Sequence, residues 1–197
     1  MMTLTAVLLT GGESRRMGRD KATIEFDKQP LWKRQLQILR GLGPERILVS
    51  ARLKPSWLPA DGEFLQDDPP SRGPLSGLTK ALTAMRTTHL LALAVDMPFM
   101  TSEQLGHFCN LAETSRGIVP VIGDRAEPLA AVYPVEVSSE FSAALAGSDF
   151  SLQSLIRTLV VAGKVQPWPV LEEDEHFFLS VNEPDDFKKG RFPNRPP

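Results

Sequence analysis

Apolar positions along this chain group in two ways, as short unbroken runs and as spaced repeats, and the two alternate. Ala6 to Leu9, Arg46 to Ser50 and Leu90 to Val95 are the clearest runs. Each reads as a strand buried on both faces, as in a parallel sheet. The last is the most apolar stretch and is expected to be the central strand. Between the first two, Leu31, Trp32, Leu36, Ile38, Leu39 and Leu42 recur at mostly helical spacing, so a helix is expected over 31–42, stopped by Gly41 and Gly43-Pro44. Further helices are expected from 75 or 76 to about 85, from 103 to about 114 with Ser102 as cap, and over 137–145 and 152–159. Residues 64–68 form a short strand ending in two acids. Residues 117–121 and 129–133 read as strands flanking a polar turn at Gly123-Asp124-Arg125. Pro167 and Pro169 disfavour a central place for 165–170, which is read as a final edge strand.

The segments between are less regular. Residues 21–28 read as a short strand or extended segment, and 52–59 as a loop carrying Pro55 and Pro59. Residues 69–77 are too rich in proline and glycine for regular structure. Asn182 is expected to cap a short last helix. The sequence thus predicts an α/β fold: one domain over 1–189 with three α/β/α layers and a mostly parallel sheet, then a disordered tail over 190–197. Ligands of such folds sit beyond the carboxyl ends of the strands. Gly11-Gly12, Asp67-Asp68 and Asp96 each directly follow a predicted strand.

Composition narrows the chemistry. Of 197 residues 42% are hydrophobic and 23% charged, as in ordinary globular proteins, and the net charge of −2 makes no global case for nucleic acid or an anionic membrane. No apolar stretch approaches the ~20 residues that span a bilayer, and no secretory signal pattern opens the chain. Cys109 is the only cysteine, which excludes an internal disulfide and a thiol cluster for zinc. A cytoplasmic protein is the simplest expectation.

Against that near-neutral background the segment after the first strand stands out. Gly11-Gly12 lets a ligand approach main-chain N–H groups, and Arg15, Arg16, Arg19 and Lys21 place four cations within seven residues. Donors and fixed positive charge together suit a polyphosphate; a solvated basic turn is the plainer alternative. Neither the Walker loop nor the G-x-G-x-x-G pattern is present. Asp96, after an apolar run and before Pro98, either holds a magnesium ion with phosphate oxygens and waters or caps the following turn. Asp67, or its neighbour Asp68, is a ligand contact or a turn former. His89, His107 and His176 lack metal-ligand spacing and read as structural or surface residues.

Leu9-Thr10-Gly11-Gly12-Glu13-Ser14-Arg15-Arg16-Met17-Gly18-Arg19-Asp20-Lys21 resembles the nucleotide-binding loop of the molybdenum cofactor guanylyltransferases. These are nucleotidyltransferases with a Rossmann-like domain of the nucleotide-diphospho-sugar transferase type, with the general pattern L-x-G-G-x-S-x-R-M-G-x-D-K. Thr10 stands where that family usually has alanine. The resemblance extends to Asp67, to Arg72-Gly73-Pro74-Leu75-Ser76-Gly77-Leu78, which matches a segment lining base and ribose, and to Asp96-Met97-Pro98. It implies an enzyme that transfers GMP from GTP to a molybdenum-bearing pterin phosphate, releasing pyrophosphate with Mg²⁺. Leu9, Thr10, Gly11, Gly12, Lys21, Asp67, Gly77 and Asp96 would bind nucleotide, Asp96 the metal. Lys21, Asp96 and Arg15 would carry catalysis, and Asn182 would contact the acceptor. Molybdoenzyme-maturation proteins are implied as partners, nucleic acid and membrane are not. No general base is demanded, because a terminal phosphate is already an anion near neutral pH. Ser50, Glu127-Pro128-Leu129, Ser180 and Glu183 depart from the family pattern, which bears on the acceptor pocket and some base contacts. The same loop admits two other functions: a related transferase using CTP or a sugar phosphate, and a non-catalytic nucleotide-binding regulator. Within the family, paired glycines at 11 and 12 favour guanine.

Overall fold

The apolar runs become strands of one sheet, and the spaced repeats become helices on its two sides. A computed structural model describes residues 2–11, 20–67 and 70–181. The elements are β1 (Leu4–Leu9), β2 (Glu25–Phe26), β3 (Gln29–Pro30), α1 (Leu31–Arg40), β4 (Arg46–Ala51), β5 (Gly62–Gln66), α2 (Pro74–Ala84), β6 (His89–Ala94), α3 (Ser102–Leu111), β7 (Gly117–Ile122), β8 (Arg125–Ala126), β9 (Ala130–Pro134), α4 (Ser138–Ala146), α5 (Leu152–Val161) and β10 (Val165–Pro169). The sheet order is β10-β7-β9-β6-β1-β4-β5, with β8 paired to β7. β6 is the middle strand of that path and β10 an edge, as expected.

β1 pairs in parallel with β4 and β6, β4 with β5, and β10 with β7. One interior strand is reversed: β9 lies antiparallel between β6 and β7. The sheet is therefore mixed, though mostly parallel. Alternate strand residues feed opposite layers, as a period of two requires. Ala6, Leu8, Leu91 and Leu93 pack with Leu31, Leu36 and Leu39 of α1 and Phe108 of α3. Val7, Leu9, Leu90 and Ala92 pack instead with Leu75 and Leu78 of α2, Phe141 of α4 and Ile156 of α5.

Three local expectations are corrected. Regular structure resumes at Pro74, inside the stretch expected to lack it. Proline at the first helical position gives up an N–H that has no helical partner anyway, and Gly73, at φ +64°, makes the turn before it. Thr101, not Ser102, caps α3: its hydroxyl accepts from Gln104 N at 3.2 Å, and the helix stops at Leu111. Residues 21–28 hold a 3₁₀ turn, Lys21–Thr23, and then β2, which pairs antiparallel with β3. Asp27 and Lys28, both at positive φ, form the tight turn between these two strands. The helix expected at 182–186 and the tail over 190–197 lie outside the described residues. Among the described residues no helix is long and apolar enough to cross a membrane.

Candidate active site

Parallel pairing of β6, β1, β4 and β5 brings Asp96, Gly11, Ser50 and Asp67 to one edge of the sheet. Main-chain bonds continue past the strand ends and tie them together. Thr10 donates both its N–H and its hydroxyl to Ser50 O, at 3.0 and 2.8 Å. Val95 N donates to Leu9 O, and Asp67 N to Ala51 O, each at 3.0 Å. The edge is thus one connected backbone surface.

Asp67 is only 6% exposed. Its Oδ1 accepts from the Ser50 hydroxyl at 2.7 Å. Its Oδ2 lies 3.0 Å from where a Cβ on Gly11 would stand, so glycine lets the first-loop backbone approach the carboxylate without crowding it. Gly77 serves a different contact. Buried in α2, it would place a Cβ 2.5 Å from Ser50 Oγ and 2.8 Å from Leu9 Cδ2. Its lack of a side chain seats α2 directly on β1 and β4, beneath the Ser50–Asp67 pair.

On the other side of β1, Lys21 Nζ stands 3.4 Å from Asp96 Oδ2, both side chains roughly a fifth exposed (20% and 23%). Lys21 opens the 3₁₀ turn, and Asp20 caps it. Asp20 Oδ1 accepts from Ala22 N and Oδ2 from Trp57 Nε1, both at 3.0 Å. The Trp57 ring stacks on Trp32 of α1 at 5.0 Å and 11°. The Lys21 backbone is thereby pinned to the β4–β5 connection and to α1. Around Asp96 the main chain is held by three contacts. Asp96 O accepts from Val181 N at 2.8 Å, Met97 O from the buried Gln35 Nε2 at 2.5 Å, and Pro98 O from Arg34 Nε at 2.6 Å.

Leu9, Thr10, Gly11, Lys21, Asp67, Gly77 and Asp96 are therefore gathered along the strand ends. Gly12, Arg15, Asp68 and Asn182 lie outside the described residues. Asp20, Trp57, Arg34 and Gln35 were not anticipated. Gln35 left a signal, being a polar residue in the stripe of Leu31, Leu36 and Leu39 that α1 buries. Trp57 and Arg34 left none, since their partners lie 37 and 64 residues away. Glu127, one of the departures from the family pattern, is half-buried near the same edge. Ala94 N donates to Leu129 O there, and burial pushes the Glu127 carboxyl above its ordinary range, opposed by Arg125 at 3.9 Å. His89 is structural: its ring contacts Thr88 Oγ1 and Glu113 O, and burial holds its pKa below the usual histidine value. Among the described residues no three His, Cys, Asp or Glu side chains converge as a metal cage.

The chain is similar to known proteins along most of its length. Residues 6–164 match the model of the MobA-like NTP transferase domain. A probable molybdenum cofactor guanylyltransferase from Opitutus terrae is 31% identical over 191 residues, 95% of each chain. The crystal structure of molybdopterin-guanine dinucleotide biosynthesis protein A from Archaeoglobus fulgidus superposes with a TM-score of 0.70 at 21% identity, covering 94% of this chain and 95% of that one. A Mycobacterium tuberculosis protein in complex with manganese shares the fold at a TM-score of 0.57 and 16% identity, over 86% and 88% of the two chains.

Proposed function

This chain belongs to the MobA-like NTP transferase family and is a nucleotidyltransferase, and from that premise we propose that it transfers GMP from GTP to the phosphate of a molybdenum-bearing pterin. The observation that carries the reading is the convergence of the Gly11 backbone, the fixed Asp67 carboxylate and the Lys21–Asp96 pair on one sheet edge. The nucleotide lies along Leu9, Thr10, Gly11 and Gly12, with Asp67 as a fixed acceptor for its sugar or base. Gly77 acts by seating α2 beneath that acceptor. Lys21 serves the phosphates, and the family resemblance gives Arg15 the same role and Asn182 a role toward the acceptor.

An oxygen of the pterin phosphate attacks the α-phosphorus, and the bond to pyrophosphate breaks. Both reactants are anions, so charge is the main obstacle, and preorganised cations are what the protein must supply. Lys21 would serve both the α-phosphate and the departing pyrophosphate. Its ion pair with Asp96 keeps the ammonium beside the carboxylate that would hold Mg²⁺. When bound, the cation offsets charge on the transferring phosphoryl group. The manganese complex of a protein with this fold supports a divalent ion. No side chain need remove a proton, because the attacking phosphate is already ionised. Delivery of the product to molybdoenzyme-maturation proteins in the cytoplasm belongs to the same proposal.

Calorimetric binding of GTP, CTP, ATP and UTP, with and without Mg²⁺, tests it. GTP is expected to bind most tightly and to need the cation, with pyrophosphate released only when the pterin acceptor is added. Tighter CTP binding would move the chain to cytidylyl transfer, and cation-independent binding without turnover would make it a regulator.

A further inference from the structure

A lysine carries its charge on a flexible four-carbon stem, so the place of the Lys21 ammonium depends on how firmly the main chain beneath it is held. Its two neighbours are held in different ways. Ala22 is wholly buried, in the core layer that α1 also enters. Asp20 is exposed, and its carboxylate is shared between two donors, Ala22 N and Trp57 Nε1, both at 3.0 Å. The first bond is local and ordinary for a capped turn. The second reaches 37 residues along the chain, to the connection between β4 and β5.

Water competes for both partners of such a surface bond, so it gains strength only where the donor is fixed in advance. Trp57 meets that condition. Its ring lies flat on Trp32, with centres 5.0 Å apart at 11°, and both indoles pack against the core. The connection is drawn back to α1 at its far end as well. There Arg40 Nε and Nη2 donate to Asp61 Oδ2 and Oδ1, each at 2.7 Å, and such a fork fixes direction as well as distance. Between the two anchorages Pro55 and Pro59 restrict the backbone, and their carbonyls accept from Leu58 N at 3.2 Å and Gly62 N at 3.1 Å. The same helix holds the partner of Lys21. Within one turn of Trp32, Gln35 Nε2 donates to Met97 O and Arg34 Nε to Pro98 O, on the two residues after Asp96. α1 is thus a common base for both ends of the 3.4 Å Lys21–Asp96 pair. One end is reached through Trp32, Trp57 and Asp20, the other through Gln35 and Arg34.

We propose that Trp57 is a positioning residue for nucleotidyl transfer: its N–H, acting through Asp20, fixes the main chain under Lys21 and so the place of the ammonium against the phosphates. The proposal rests on the phosphate role given to Lys21 above. Trp57→Phe keeps an aromatic ring against Trp32 and removes the donor. Asp20→Ser cuts the same bond from its other end, while a serine hydroxyl still caps Ala22 N. Calorimetry of the intact chain with Mg²⁺ compares GTP with guanosine in wild type, in both variants, and in both combined with Lys21→Ala. Each single variant is expected to weaken GTP by about three- to tenfold, a part of what loss of the ammonium itself removes. Guanosine affinity should stay unchanged, which also shows that the variants are folded; should Trp57→Phe fail to fold, Asp20→Ser carries the test. In the Lys21→Ala background neither change should weaken GTP further, and the two together should lose no more than either alone. A merely structural role would instead weaken both ligands or add to Lys21→Ala. Unchanged GTP affinity in both variants, an equal loss for guanosine, or a loss that adds to that of Lys21→Ala would each overturn the proposal. The Lys21→Ala protein separates the two readings. If it weakens GTP while Trp57→Phe and Asp20→Ser do not, the positioning role alone falls. If Lys21→Ala leaves GTP binding unchanged, it is the phosphate role of Lys21 that fails.

Discussion

Asp67 and Asp96 leave the same edge of the same sheet, three strand positions apart, and their surroundings are opposite. At the end of β5, Asp67 is almost wholly buried, with one oxygen fixed by the Ser50 hydroxyl and the other against the Gly11 backbone. At the end of β6, Asp96 is partly wet and faces a lysine at 3.4 Å. A buried carboxylate fixed by its neighbours cannot readily change partners, which suits a constant acceptor for a sugar or base. A partly exposed ion pair contributes little stability, with a median of ~0–1 kcal/mol, so Asp96 can exchange its partner at small cost. Position on a sheet edge thus brings both acids to the candidate site, and local burial sets them apart.

The largest expected effect comes from the exchangeable acid. Asp96→Asn should lower kcat/KM about 10³-fold or more, since a lost metal carboxylate removes several kcal/mol of charge stabilisation. Its thermal midpoint should stay close to wild type, because the ion pair is partly solvated. Near-normal activity at limiting Mg²⁺ would remove Asp96 from the metal site.

Lys21→Ala should weaken GTP by about 10- to 100-fold, the worth of a charged hydrogen bond, and leave guanosine unaffected. Calorimetry with both ligands measures this, and equal losses would mean that Lys21 acts through the fold.

Ser50→Ala addresses the fixed acid and should show the reverse profile. It strips Asp67 Oδ1 of its hydroxyl donor, at a cost of about 1–3 kcal/mol in denaturant unfolding. A Ser50→Ala protein as stable as Asp96→Asn would erase the distinction between the two sites.

Glu127 offers the smallest effect. Burial raises its carboxyl pKa in the folded state, with Arg125 only partly opposing. A raised folded pKa means that stability is fullest below the ordinary glutamate range and declines as pH rises through the folded value. Glu127→Gln removes that titration, so the variant should gain on wild type at neutral pH, with the gap closing in acid. Thermal melts from pH 4 to 8 would show it, and a gap of constant size would assign the change to packing.

Much of this edge could be read from residue order alone. A buried strand leaves an unbroken apolar run, and the residues directly after it must lie at the sheet edge. Gly11, Asp67 and Asp96 were marked in this way by the runs that end near Leu9, Gln66 and Ala94. Edge placement of β10 came from Pro167 and Pro169, which cannot donate to a ladder. Strand direction was less accessible. The apolar run of β9 reads the same in either sense, and its antiparallel course is fixed only by pairing with Leu90–Leu93 of β6 and Ile118 of β7. Pro74 misled because proline density marks a loop, whereas a single proline at a helix start costs nothing. Asp20, Trp57 and Arg34 support the site through long-range contacts that no local spacing encodes.

The place of β1 bears also on how the chain is made. Its six residues, five of them apolar, have a partner on each side, β4 and β6, and Leu4 meets His89 only after 85 further residues. At synthesis rates of ~5–20 residues per second that interval is roughly 4–17 s, long compared with collapse of the chain. Throughout it, the strand that carries Gly11 has one edge without its native neighbour. Such a run is prone to mispairing with a second nascent copy. Yield from the ribosome should therefore improve when fewer copies are made at once or chaperone is plentiful, through protection of the strand that leads into Gly11.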